Sequence, residues 1–169
     1  MVADVESGEP LGANELGEVL VRGPQAMRGY LNRPDATALA LGEDGWLRTG
    51  DLGYVDEDGY LYLVDRLKEM IKHRGMQIAP AELEAGLLSH PRVAEAAVVG
   101  NPDEEAGEVP KAFVVASGEA SAEEIMACVA QRVAPHKRIH AVQFVDAIPK
   151  SPTGKTLRRV LAERDRQAG

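Results

Sequence analysis

The sequence predicts an α+β protein: a mostly β segment, then a small domain in which helices and strands alternate. Three observations carry this expectation. Residues 52–65 spell a β-hairpin, with L-G-Y-V-D and Y-L-Y-L-V-D on either side of turn chemistry from Asp56 to Gly59. Beyond Asp65 the character shifts to a charged stretch, R-L-K-E-M-I-K-H-R-G, which ends at Gly75. After residue 79 helical and extended patterns succeed one another to the end of the chain.

Taken in order, E-V-L-V-R at 18–22 reads as a strand between Gly17 and Gly23. R-P-D-A-T-A-L-A-L at 33–41 reads as a short helix, with Pro34 near its first position. The 52–65 hairpin follows. Pro80 opens a helix with Glu82 and Glu84 in its first turn, where the helix dipole favours acids, and Leu83, Leu87 and Leu88 share one face. Then come a strand at 93–99, a loop N-P-D-E-E-A-G-E at 101–108, and a strand at 109–116. A helix at 121–133 begins with Ser121 and carries Glu124 three residues on, the spacing of a capping box. A strand at 141–146, the segment P-K-S-P-T-G-K-T-L-R-R at 149–159 and a final helix complete the chain.

Composition narrows the function classes. A chain of 169 residues with 44% apolar content can bury a core as one or two small domains. Cys128 is the single cysteine, so no internal disulfide framework exists, and a reducing compartment, the cytoplasm, is expected. No apolar run approaches the ~20 residues needed to span a bilayer. The formal charge of −8 is unevenly spread. Residues 132–169 hold nine basic residues against three acids, a net +6, leaving −14 on residues 1–131. Such a basic tail faces an anion or is the solvated side of a helix at 155–166. Nucleic acid is not expected, since Phe144 is the tail's lone aromatic and no stacking pattern occurs.

Several short stretches hold chemistry. T-G-K-T at 153–156 looks like half of a phosphate loop, but the glycine required five residues before Gly154 is Pro149. Pro149 and Pro152 each remove an amide donor and fix φ, so the backbone cannot wrap a triphosphate there. Lys155 instead sits on a turn set by Pro152 and Gly154, suited to meet charge that grows in a transition state. A basic helix start is the plainer reading, although helix starts disfavour cations. In W-L-R-T-G-D-L at 46–52, Asp51 follows Thr49-Gly50 where a strand is about to begin. It is either a turn former or an acceptor for a ribose diol. Arg66, Lys68, Lys72 and Arg74 place four cations in nine residues beside Gly75, as a solvated linker or a phosphate-facing hinge. His73, His90, His136 and His140 lack metal-ligand spacing, and no metal site is expected. Ser151 lies in no nucleophile elbow and reads as a turn residue.

In sequence order, four stretches closely resemble the adenylate-forming (AMP-binding) superfamily, which includes acyl-CoA synthetases. They are G-E-V-L-V-R-G-P-Q-A-M-R-G-Y-L-N-R-P-D-A-T, D-G-W-L-R-T-G-D-L-G-Y-V-D-E-D-G-Y, D-R-L-K-E-M-I-K-H-R-G-M-Q-I-A-P-A-E-L-E and P-K-S-P-T-G-K-T-L-R-R. Their wording is most similar to the fatty-acyl and 4-coumarate CoA ligase branch. The resemblance implies a carboxylate activated by MgATP to an acyl-adenylate, then captured by coenzyme A as a thioester. It implies that Asp51 holds the ribose hydroxyls and that Arg66 contacts ribose or phosphate. Lys68 would occupy a hinge, and Lys155 would neutralise charge during adenylation. Gly75 would let the pantetheine arm of CoA pass, with Lys72 and Gln77 lining the site in alternate orientations. It further implies that 1–64 is the distal β-rich part of a large N-terminal domain, 65–68 the hinge, and 69–169 the mobile C-terminal domain. The family's ATP loop and acyl pocket are not in this sequence. The chain is therefore expected to be the last third of such an enzyme, inactive alone, with the missing large domain as partner and Mg2+ bound mainly there. A free-standing AMP/CoA-binding or interaction module, or one subunit of a split enzyme, is the alternative.

Overall fold

The computed structural model describes residues 1–168. Two compact units divide the chain, Met1–Lys68 and Glu69 onward.

The first unit is a four-stranded antiparallel sheet in sequence order: β1 (Val2–Ala3), β2 (Gly17–Val21), β3 (Leu47–Val55) and β4 (Leu61–Arg66). Helix α1 (Pro34–Ala40) lies between β2 and β3, with Pro34 at its first turn as its sequence requires. The β3–β4 hairpin pairs Tyr54 with Tyr62, whose rings stack at 5.1 Å. Asp56 closes its turn by accepting from the amides of Asp58 and Tyr60 at 3.0 and 2.8 Å. Strand β3 begins at Leu47, five residues before the expected start. The T-G-D stretch is thus inside the strand, where Gly50 at φ +70° bends it.

The second unit is a five-stranded sheet between helices. Its strands are β5 (Ile71–His73), β6 (Met76–Ile78), β7 (Val93–Asp103), β8 (Gly107–Ala116) and β9 (Ala141–Phe144). Strands β6, β5, β8 and β7 are neighbours in that order, all antiparallel, and β9 adds to β8 in parallel. Alternation along β7 and β8 divides the core. Val98, Ala112 and Val114 pack with Leu83 and Leu87 of α2 (Pro80–Leu88) and with Ile125 and Val129 of α3 (Ala122–Ala130). Ala97, Val99 and Phe113 face the other way, onto Ile148 and Leu161 of α4 (Arg158–Ala168). Two apolar faces on one strand pair need helices on both sides, which the alternating sequence provides. The Ser121–Glu124 capping box forms, with backbone-to-side-chain distances of 3.2 and 3.1 Å.

Four local expectations are corrected. The charged stretch 65–75 is no linker. It completes β4, makes a 3-10 turn over Leu67–Glu69, and forms the β5–β6 hairpin. Residues 101–108 are mostly strand, because Asn101–Asp103 pair with Gly107–Val109 and only 104–106 turn. The helix expected at 121–133 ends at Ala130, with Gln131 as its C-cap. The final helix begins at Arg158, so Lys155 precedes it by nearly a turn and is not a helix start.

Candidate active site

In the first unit the sequence-predicted residues Asp51 and Arg66 are Cα partners across β3 and β4. Arg66 Nε lies 2.8 Å from Asp51 Oδ1. The arginine thereby fixes one carboxylate oxygen, and the other remains for a donor pair such as a vicinal diol. The T-G-D bend is held from behind by β2. Thr49 Oγ1 donates to the Val19 carbonyl at 2.7 Å and accepts from the Asp51 amide at 3.0 Å. Glu18, only 3% exposed, accepts two N–H groups of Arg48 at 2.8 and 2.6 Å and the Gly50 amide at 3.2 Å. Sequence reasoning missed Glu18, Arg48 and Thr49. The available signal was an acid inside an apolar strand, with an arginine in the next strand of the sheet.

In the second unit Lys72, Gly75 and Gln77 lie on the β5–β6 hairpin. Lys72 and Gln77 are cross-strand partners, both exposed, while Ile71, His73 and Ile78 point inward. Its two turn residues, Arg74 and Gly75, both have positive φ, +50° and +77°. This is the turn whose twist matches a two-residue hairpin. A Cβ at Gly75 would meet nothing within 4 Å, so the position is open in front as well as conformationally demanding. The β7–β8 hairpin braces this tip at three points. Glu108 accepts the Lys72 amide at 2.8 Å, its carbonyl accepts from His73 Nδ1 at 2.8 Å, and the Ala106 carbonyl accepts the Arg74 amide at 2.8 Å. Asp103 shapes the bracing turn. The amides of Ala106 and Glu105 hold its carboxyl below the usual carboxylate range, with smaller help from His140 and Arg74.

Lys155 lies on a separate loop closed on itself. The Ser151 amide donates to the Lys155 carbonyl at 2.8 Å, and Ser151 Oγ accepts the Lys155 amide at 3.1 Å. Gly154, at φ +83°, donates to the Ser151 carbonyl at 2.9 Å. Ser151 is therefore the node of the turn. Buried Ile148 and Leu161 anchor the segment before and after it. Arg158, three residues on, binds both oxygens of Glu84 at 3.0 and 2.7 Å and also pairs with Glu69. The Lys155 ammonium is exposed and, among the described residues, has no hydrogen-bond or ion-pair partner. Its tail neighbours differ. Lys137 pairs with Glu82, Lys150 with Glu95, and Arg159 with Glu163. Much of the basic excess of the tail is thus neutralised inside the protein. Lys68, exposed, ends the first unit within the 3-10 turn.

Residues 82–155 match the family described as the AMP-binding enzyme C-terminal domain. Along 96% of its length the chain is 55% identical to a 4-coumarate–CoA ligase of Pinus taeda. Along 95% it is 56% identical to a 4-coumarate–CoA ligase-like protein of Oryza sativa. It spans 30% and 27% of those relatives. Among solved structures it resembles the o-succinylbenzoate CoA synthetase of Bacillus subtilis in complex with an acyl-adenylate. There the TM-score is 0.87 at 39% identity, over 95% of this chain and 33% of that one. It also resembles ATP-bound MatB of Rhodopseudomonas palustris, at TM-score 0.92 and 32% identity, over 96% of this chain and 33% of that one. The apo structure of the same MatB matches at 0.68, with 33% identity over the same shares.

Proposed function

From the match of residues 82–155 to the AMP-binding enzyme C-terminal domain family, we propose that this chain is the mobile C-terminal portion of an ATP-dependent acid–thiol ligase. In the first half-reaction a carboxylate oxygen attacks the α-phosphorus of ATP, giving acyl-adenylate and releasing pyrophosphate. In the second, the thiol of coenzyme A attacks the acyl carbon, and AMP leaves as the thioester forms.

Lys155 serves the first step. Two anions, the carboxylate and the α-phosphate, must approach one another, and a cation between them lowers that barrier most where water is excluded. The observation that carries the reading is the state of Lys155: an ammonium without a partner among the described residues, on a turn fixed by its own backbone. Among those residues no ion pair has to break before it reaches a substrate. Asp51 takes the ribose hydroxyls with the oxygen that Arg66 leaves open, and Arg66 reaches ribose or phosphate. The β5–β6 hairpin serves the second step. Its glycine tip admits the pantetheine arm, and Lys72 and Gln77 flank that passage. Residues 65–68, with Lys68, act as the hinge between the distal part of the large domain (1–64) and the mobile domain (69–169). Mg2+ and the triphosphate would be held mainly by the large domain, as the family resemblance implies. No helix among the described residues is long and apolar enough to cross a membrane, and with its lone Cys128 we place the enzyme in the cytoplasm.

The test is ATP–pyrophosphate exchange by the 169-residue chain alone, with 4-coumarate and with a long-chain fatty acid. We expect no exchange, since positioning and electrostatic groups for half the site are missing. Exchange above the protein-free blank would overturn this reading in favour of a complete site within the chain.

A further inference from the structure

Among the described residues Glu18 is the only buried acid, and the functional reading above gives it nothing to do. A buried carboxylate is costly to desolvate, and an apolar residue at such a strand position often serves stability as well or better. Its contacts show what it does instead. One oxygen receives both Nε and Nη2 of Arg48, and the other receives the amide of Gly50. That amide is one peptide unit from Asp51. Gly50 is at φ +70°, a conformation that a regular strand does not adopt, and the β2–β3 register shifts between Glu18 and Leu20. The bend is therefore not a product of the ladder. It is held by Glu18 on Gly50 and by Thr49, which links the Val19 carbonyl to the Asp51 amide.

We propose that Glu18 is a positioning residue for ribose recognition: by clamping Gly50 and Arg48 it fixes the bend that aims the Asp51 carboxylate. Arg66 then sets the rotation of that carboxylate, so the open oxygen is presented in one direction before any nucleotide arrives. This rests on the assignment of Asp51 to the ribose hydroxyls. Preorganisation of this kind raises affinity by reducing the ordering that binding would otherwise require.

The test uses the whole 169-residue chain and compares AMP with 2′-deoxy-AMP, following the amide signals of Gly50 and Asp51 by NMR titration. The wild-type chain is expected to prefer AMP by about tenfold, the worth of one hydrogen bond to a charged group. Asp51→Asn is expected to erase that preference. Glu18→Gln is expected to reduce it to about twofold or less while Trp46 fluorescence stays native, and to speed hydrogen exchange at the Gly50 amide. Loss of fold would weaken both nucleotides together, whereas mis-aiming removes the difference between them. If Glu18→Gln does not fold, Thr49→Val, which cuts the other hold on the bend, must give the same loss of preference. A wild-type chain without preference, or one that Asp51→Asn leaves intact, overturns the assignment of Asp51. A preference lost in Asp51→Asn but kept in both Glu18→Gln and Thr49→Val overturns the role of Glu18 alone.

Discussion

Asp51 and Lys155 are both isolated polar groups in the sequence, yet the protein holds them in opposite ways. Asp51 is inside a strand, with Arg66 on its carboxylate, Thr49 on its amide and Glu18 behind the bend. Lys155 is on an exposed turn, its backbone fixed through Ser151 and its ammonium unattached among the described residues. The difference matches the demands of the two-step reaction proposed above. A nucleotide present throughout both steps is best gripped by a group that never moves. A charge wanted in one step is best carried by a group rigid in its own loop and free at its tip. Rigidity in the first case comes from the sheet. In the second it comes from anchors on either side of the loop, and those anchors can be cut one at a time.

The largest stability effect is expected at Arg158, which joins the start of α4 to Glu84 and Glu69. Arg158→Met strands two partly buried carboxylates and should cost about 3 kcal/mol, the low end for breaking a buried pair. The tryptophan and all four tyrosines are in residues 30–62, so fluorescence reports the first unit. The helical far-UV signal reports mainly the second. Arg158→Met should lower the midpoint by circular dichroism and leave the Trp46 transition in place. A matching shift in both would break the claim that the two sites are anchored separately. Gly75→Ala comes next, since a side chain at φ +77° costs roughly 1–2 kcal/mol. With open space in front, that cost is backbone strain alone, measurable as a shift in urea midpoint. Ser121→Ala removes the α3 cap and should cost about 1 kcal/mol.

The smallest effect is expected from pH. The folded protein holds the Asp103 carboxyl below its unfolded value, so it adds stability above the unfolded value and loses it as pH falls through the folded one. The midpoint difference between wild type and Asp103→Ala should therefore be larger at neutral pH than in strong acid. The opposite trend would mean that the amides of Glu105 and Ala106 do not hold the ionised form.

Much of this architecture was legible because period and punctuation agree. The 52–65 hairpin, the Pro80 helix and the Ser121 cap each have a local chemical cause. The β5–β6 hairpin was hidden because its outward residues, Lys72, Arg74 and Gln77, make a charged run. The inward Ile71, His73 and Ile78 are too few to show alternation. The 101–108 stretch looked like a loop from its Asn, Pro, Asp and Glu, yet cross-strand pairing overrides composition there. The basic tail reads either as facing an anion or as the solvated side of a helix. Three of its cations, Lys137, Lys150 and Arg158, pair with acids far off in sequence, Glu82, Glu95, Glu84 and Glu69, which no local pattern reveals. Glu18 carried one local signal, an acid inside an apolar strand, but its role exists only once β2 and β3 lie side by side.

The central claim is that Lys155 acts in one half-reaction and not in the other. It is tested by Lys155→Ala in the enzyme formed by this chain and the large domain it is proposed to complete, with the two half-reactions measured apart. Acyl-adenylate formation should fall by about 10²–10³-fold, the loss seen when one charge-stabilising group is removed. Thioester formation from preformed acyl-adenylate and coenzyme A should stay within about twofold of wild type. Equal loss in both half-reactions would contradict the account.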